Sequence, residues 1–235
     1  MPKSKRARVV HLTKVDKKGR ELSEKLFNNV REAAENFQYI FVFDVENMRN
    51  NYLKEVRQEF SDSRIFFGKT KVMAKALGTD DASEHLPNLH KLAQRLEGNV
   101  GLFCTNREPT EIIEHFQSYS QTDFARAGVE ATQTFTVPEG IVYSRAGELP
   151  VEDDVPLPHP VEVTVRKWGM PTRLEKGKVM LDQPYTICTE GQTLNSHQTA
   201  LLKLFGVAMA EFKIKFIAYY NKESETVSEI DAMEE

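Results

Sequence analysis

Gly68-Lys69-Thr70 is the place where residue type and spacing come nearest to a chemical site. The three residues match the end of G-x-x-x-x-G-K-[ST], a loop whose backbone amides and lysine cradle the phosphates of a nucleotide. The other end of that motif is missing. Ser63 stands where the first glycine would fall, and Arg64 to Phe67 have strand composition, so no loop remains to wrap a triphosphate. What is left is a strand, a glycine turn and the start of a helix. Val72, Met73, Ala76 and Leu77 can share one apolar face. Lys71 and Lys75, four apart, then lie together on the other side, with Lys69 at the mouth of the turn. A helix N-terminus offers free N–H groups and partial positive charge, and the lysines add full charges. Two readings stay open for them here: an ordinary solvated face, or contact with the phosphates of a nucleic acid.

Enzyme chemistry finds few candidates. Asp44 and Glu46, at the end of an apolar run, could hold a metal, but no other carboxylate or histidine has matching spacing. Ser63 and Ser144 lack the setting of an activated nucleophile. The six histidines are scattered, so a zinc cluster is not expected. Cys104 and Cys188 are too far apart in sequence to suggest a disulfide framework, which fits a reducing compartment. The expectation is a protein without catalytic residues, metal or cofactor.

Charge points elsewhere. The net charge of −4 conceals a basic arm. Residues 1–20 carry eight cations, among them Lys3, Lys5, Arg6 and Arg8, against Asp16 alone, a net +7. The remaining chain is therefore at −11. A concentrated basic arm suits nucleic acid, and Lys3-Ser4-Lys5-Arg6 also suits a nuclear import signal. No apolar segment follows the arm, so a secretory signal is not expected. No run approaches the ~18 apolar residues of a membrane span, and no membrane partner is expected.

The elements that must hold these residues alternate. A helical stripe over 21–37 precedes the apolar run Tyr39 to Phe43, which reads as a strand covered on both faces. A polar link over 44–51 leads to a second helix at Leu53, Val56 and Phe60. The 64–67 strand, a helix over 69–77, a helix over 83–96, a strand over 100–104 and a helix near 112–116 follow. Such alternation predicts an α/β layer with a largely parallel sheet. Near residue 123 the pattern changes, and seven of the ten prolines lie between 138 and 184. Short strands are expected at 135–137, 179–181 and 185–188, and a short helix at 200–205. Residues 152–154 read as part of an acidic, proline-rich loop. Phe212 to Ala218 alternate as a half-buried strand, which returns to the first sheet because a lone strand is not stable. The expected organisation is a basic arm over 1–20, an α/β domain over 21–122 and 200–220, a small α+β insertion domain over 123–199, and an acidic disordered tail over 221–235.

Four motifs in this order, GKTKVMAKAL at 68–77, GNVGLFCTN at 98–106, ARAG at 125–128 and ALLKLFGVAMAEFK at 200–213, resemble the stalk-base protein of the large ribosomal subunit. The opening MPKSKRARVVHLTK and the segment FTVPEGIVYSRAGELP resemble more closely its assembly paralogues, the mRNA turnover protein 4 family. The similarity runs over roughly residues 1–220. It implies an rRNA-binding α/β domain interrupted by an insertion domain. It implies binding to large-subunit rRNA at the GTPase-associated centre, within pre-large-subunit particles and beside neighbouring ribosomal proteins. It further implies a placeholder role in the nucleus and nucleolus, ended when a phosphatase-like release factor displaces the protein and the stalk protein takes its place. Shuttling to the cytoplasm stays open. The stalk protein continues into helices that hold small acidic proteins, and no such helix pair follows here, so an assembly factor is expected rather than a working stalk base.

The resemblance selects the phosphate reading of the lysines, and the rRNA site expected from it is Gly68, Lys69, Lys71 and Lys75. In a parallel sheet the 44–51 link would share the edge of Gly68, which adds Asn47, Arg49 and Asn50. Turn chemistry and helix capping explain the two asparagines equally well. Lys54 and Arg57 extend the patch, or simply solvate a helix face. Lys3, Lys5, Arg6 and Arg8 would order on RNA. The rival from another class is a nuclear protein-interaction adaptor that works through its acidic loop and tail.

Overall fold

The computed structural model describes residues 20–146, 149–150 and 152–230. The arm candidates Lys3, Lys5, Arg6 and Arg8 lie outside the described residues, as do residues 231–235. In chain order the elements are α1 (Arg20–Asn36), β1 (Tyr39–Glu46), α2 (Asn50–Glu59), β2 (Arg64–Phe66), α3 (Thr70–Leu77), α4 (Leu89–Ala93), β3 (Val100–Thr105), α5 (Pro109–Ser118) and β4 (Gln121–Asp123). They continue with β5 (Phe135–Val137), β6 (Gly140–Ile141), α6 (Glu162–Lys167), β7 (Thr172–Glu175), β8 (Lys178–Leu181), β9 (Tyr185–Cys188), α7 (Ser196–Phe205), β10 (Ala210–Asn221) and β11 (Thr226–Glu229). The chain forms two compact units. Of the described residues, the first holds those up to Phe43, Ser61–Arg107 and those from Phe216 on; the second holds Asp44–Phe60 and Glu108–Lys215. β1 and β10 each run from one unit into the other.

The first unit buries its helices on one face of a sheet. α1 turns Val30, Ala33 and Ala34 inward, and α3 turns Met73, Ala76 and Leu77 inward, on the stripes that their spacing predicts. Small alanines on both helices let α1 and α3 lie against each other, and the Arg31 guanidinium donates to the Ala76 carbonyl at 3.2 Å. β1 is buried on both sides, as its unbroken apolar run requires. Ile40 and Val42 face the helices, while Phe41 packs with Phe216 and Tyr219 at ring separations of 4.9 and 5.3 Å. Gly101 is needed on β3 because a Cβ there would come within 2.5 Å of the Phe43 ring.

The sheet corrects one expectation. Its strand order is β11-β10-β1-β3-β2, with β4 also on β10. β2 pairs antiparallel with β3, and β10 pairs antiparallel with both β11 and β4. Along β1 and β10, Tyr39 meets Tyr219 and Phe43 meets Phe216, so that pair also runs in opposite senses. The α/β class holds, but the largely parallel sheet does not. A parallel pair requires a helical crossover, yet a helical connection can return the chain to either end of its neighbour. Helix and strand alternation therefore fixed the class and left the direction open.

Two further expectations change. The helix expected over 83–96 shrinks to α4, because Pro87 disfavours helical backbone before it and Asn88 adopts a left-handed φ of 61°. The acidic tail expected to be disordered from 221 instead pairs over Thr226–Glu229 as β11.

In the second unit Phe60 of the α2 end stacks on Phe116 of α5, ring centroids 5.2 Å apart. Beyond β4 come the antiparallel pair β5–β9 and the antiparallel sheet β6-β8-β7. A 3-10 turn, His159–Val161, leads into α6. α7 starts on an Asn195–Gln198 capping box, and its Leu201, Leu202 and Phe205 join Val137, Val165 and Val179 in one core. The helix expected to belong with the α/β domain thus belongs with the insertion. The acidic loop is also less open than expected. Asp154 is buried, and accepts from the Ser144 hydroxyl at 2.6 Å and from the N–H groups of Arg145 and Val155 at 3.0 and 2.8 Å. Burial would raise its pKa, but those bonds outweigh it and the carboxyl ends up below its ordinary value.

Candidate nucleic-acid interface

The β2–α3 turn lies wholly within the first unit. Lys69 is the N-cap of α3, in extended conformation and without a side-chain cap. Its carbonyl accepts from Val72 and Met73 at 2.9 and 3.1 Å, which leaves the amides of Thr70 and Lys71 without helical acceptors. Lys69, Lys71 and Lys75 are exposed. None of the three has an ion pair or side-chain hydrogen bond among the described residues, whereas Arg64 nearby is committed to Glu32 at 3.3 Å. Gly68 is exposed, and a Cβ there would meet the end of the Leu26 side chain at 2.9 Å. Lys69 and Lys71 beside a free helix start, with Lys75 one turn further along α3, can hold the phosphates of one strand. Nothing in the residue pattern singled out Phe67, which read as the last strand residue. It is 37% exposed and stacks on buried Phe43, with ring centroids 6.3 Å apart and 27° between planes.

Asn47, Arg49, Asn50, Lys54 and Arg57 lie in the second unit. The shared edge expected for the two groups followed from a parallel sheet, so that premise falls. Asn47 has a φ of 48°, which asparagine tolerates, and its side-chain amide donates to the Glu211 carbonyl at 2.9 Å. Turn chemistry accounts for it. Arg49 is the N-cap of α2 and is half-buried. Its Nε lies 2.8 Å from the Asp123 carboxylate, and it also donates to the Phe124 carbonyl. Asn50, Lys54 and Arg57 are exposed, and the last two have no ion pair among the described residues. A cleft of about 780 Å³ opens beside the α2 start, lined in part by Arg49, Asn50, Tyr52, Arg126, Thr199 and Lys203. Arg126 and Lys203 were not among the expected site residues, although Arg126 stands in the ARAG motif.

The enzyme-like candidates are occupied. Asp44 accepts from the Val45 N–H at 2.8 Å, and Glu46 pairs with Lys215 at 2.8 Å. Ser63 bonds Thr105 at 2.9 Å and its neighbour Asp62 at 3.0 Å, and Ser144 donates to Asp154, whose carboxylate is already engaged by two backbone N–H groups. One group among the described residues, Asp81, Glu84 and His90, has metal-like spacing, with ligand atoms within 4.8 Å of one another. Its chemistry is already satisfied. His90 bonds Glu84 at 2.6 Å, and the same carboxylate accepts from the N–H groups of Asn88 and His90. Cys104 and Cys188 are both free and buried.

Comparison with known proteins adds a second kind of observation. The family model for ribosomal protein L10 matches residues 18–121, and the model for the insertion domain of the 60S ribosomal protein of that type matches residues 125–207. The second match includes α7, in agreement with its packing. The ribosome assembly factor mrt4 of Neurospora crassa is 53% identical, over 98% of this chain and 94% of that protein. Its namesake in Schizosaccharomyces pombe is 52% identical, over 97% and 94%. The large ribosomal subunit protein uL10 of Methanobrevibacter smithii is 22% identical, over 88% of this chain and 58% of that protein.

Proposed function

The chain belongs to the mrt4 family of ribosome assembly factors, and from that premise we propose that it binds large-subunit rRNA at the GTPase-associated centre. There it holds the stalk-base site of pre-large-subunit particles until the stalk protein replaces it. The uL10 relatedness supports this place, since a placeholder must offer the rRNA the surface of the protein that follows it. The identity of 53% to an assembly factor against 22% to a uL10 protein favours assembly over a stalk-base role on mature ribosomes. The observation that carries RNA binding is the β2–α3 turn, with Lys69 and Lys71 at a free helix start and Lys75 in the last turn of α3, all three exposed and without an ion pair among the described residues. Lys54 and Arg57, exposed and without an ion pair among the described residues, would add phosphate contacts, with Asn50 at the helix start. Lys3, Lys5, Arg6 and Arg8 would add affinity once RNA orders them.

The same reading places the protein in the nucleus and nucleolus and ends its residence through a phosphatase-like release factor. It assigns no catalytic step. A nuclear adaptor without RNA contact fits less well, because Asp154 turns inward and Thr226–Glu229 is paired in a strand. The test is direct binding of the purified chain to a transcript of the GTPase-associated centre, with sedimentation of the tagged protein in cell extract. Nanomolar binding with strong salt dependence and cosedimentation with pre-large-subunit particles are expected. Absence from those particles, or cosedimentation with polysomes instead, would refute the placeholder role.

A further inference from the structure

Phe67 is the one exposed residue among the phenylalanines, tyrosines and tryptophan described, the others being half-buried or buried. It stands where exposure of an aromatic ring has a chemical use. Phe43 beneath it is only 1% exposed and lies nearly parallel to it, 27° between planes. The buried ring lies against one side of Phe67, ring centroids 6.3 Å apart, and leaves the other side open to a second ring. Gly68 follows without a side chain to crowd it, and Lys69 and Lys71 follow that, exposed and without an ion pair among the described residues. An apolar ring flanked by unpaired cations is a poor surface for an apolar protein partner, which would bury the lysines without partners. It suits a single-stranded nucleotide, whose base has a π-face and whose phosphate needs cations.

We propose that Phe67 is a stacking platform for an unpaired base of the bound RNA, while Lys69, Lys71 and the start of α3 hold the phosphates next to that base. This rests on the RNA-binding reading and deepens it. The turn recognises a looped-out or bulged nucleotide, not the surface of a regular duplex. Phe67 thereby sets specificity for RNA shape, and the lysines set affinity.

The experiment uses the full chain with two probes: a transcript of the GTPase-associated centre of large-subunit rRNA, and a perfect RNA duplex of similar length. Phe67→Ala, Phe67→Leu, Phe67→Tyr and Phe67→Trp are compared with wild type for affinity, salt slope and thermal stability. Loss of one stacked base predicts that Phe67→Ala weakens transcript binding roughly 5- to 100-fold. The salt slope should stay unchanged, because no phosphate contact is lost. Phe67→Tyr and Phe67→Trp should keep binding, and Phe67→Leu, apolar but not aromatic, should fail like alanine. Duplex binding should be weak and equal for all. In Phe67→Trp the new indole, added to the single native Trp168, should be quenched by the transcript and not by the duplex. Leucine binding as well as tyrosine, or alanine staying within twofold of wild type, overturns the platform and leaves RNA binding standing. Variants that bind the transcript normally but leave pre-ribosomal particles overturn it in favour of a protein contact. A wild type that binds neither RNA removes the parent reading and this proposal together.

Discussion

Arg49 and Asp123 form an ion pair that closes the start of α2 onto the end of β4, with Nε 2.8 Å from the carboxylate and both side chains less than a quarter exposed. The same guanidinium donates to the Phe124 carbonyl. An arginine used in this way holds its own fold before it can hold RNA. Arg49→Ala is expected to destabilise the protein by about 1–3 kcal/mol, since a carboxylate and a carbonyl lose a charged donor. Arg49→Lys should recover only part of this, because a point charge cannot span both acceptors. Denaturation midpoints measure the first effect, and RNA titrations should show an unchanged salt slope for protein that remains folded. A variant with normal stability but weaker, less salt-dependent RNA binding would return Arg49 to the interface.

Lys69 and Lys71 make the opposite case. Both are exposed and lack partners among the described residues, so replacing them by alanine should leave stability within about 0.5 kcal/mol. Each lost phosphate contact should lower the salt slope by roughly one unit, so the double variant should lose about two. Salt-dependent RNA titrations with a thermal melt on the same samples decide it. Wild-type affinity and slope in a folded double variant would remove the β2–α3 turn from the site.

What the residue pattern made legible follows from what periodicity encodes. Periodicity reports which face of an element is buried, so the inward faces of α1 and α3, the doubly buried β1 and the three short strands of the insertion could all be placed in advance. It carries no information on strand direction, and the parallel sheet expected from helix and strand alternation became an antiparallel one. Charge composition misled at the chain end: Glu223, Glu225 and Glu229 suggested a solvated tail, but β11 pairs with β10, Val227 packs against the first core and the Ile230 N–H donates to the Ile217 carbonyl. In the site, residue type separated cations from apolar groups and could not say which were already engaged. Arg49 and Lys69 look alike in sequence; among the described residues one is paired and the other is not. Phe67 escaped notice because a strand-end phenylalanine reads as core.

Cys104 gives a prediction about reactivity. It is buried in β3, and burial pushes its thiol up to about 12, with Arg64 pulling weakly the other way. Burial also raises Cys188. Since the thiolate is the reactive form, neither should be alkylated by iodoacetamide near pH 8 in the folded protein. Mass spectrometry should find two modified cysteines after denaturation and none before it. Rapid labelling of Cys104 under native conditions would show that the edge strand β2 opens away from β3.

The contact between Glu84 and His90 predicts a response to acid. The His90 ring holds the Glu84 carboxyl below its ordinary value of 4.5, with help from the backbone N–H groups of Asn88 and His90 against some desolvation. A carboxyl with a lowered pKa binds its proton less readily in the folded state than in the unfolded one. Its contribution to stability is therefore full above the unfolded value and disappears as pH falls through the lowered folded value. Glu84→Gln should cost stability at pH 7 and equally near pH 5, and the gap to wild type should close only well below pH 4.5. His90→Ala should lose stability in the same pH range, because it removes the largest cause of the shift. Urea denaturation of the three proteins across that range is the measurement. A gap that persists unchanged to the most acidic point would mean that Glu84 acts through packing, with the His90 bond contributing nothing to its ionisation.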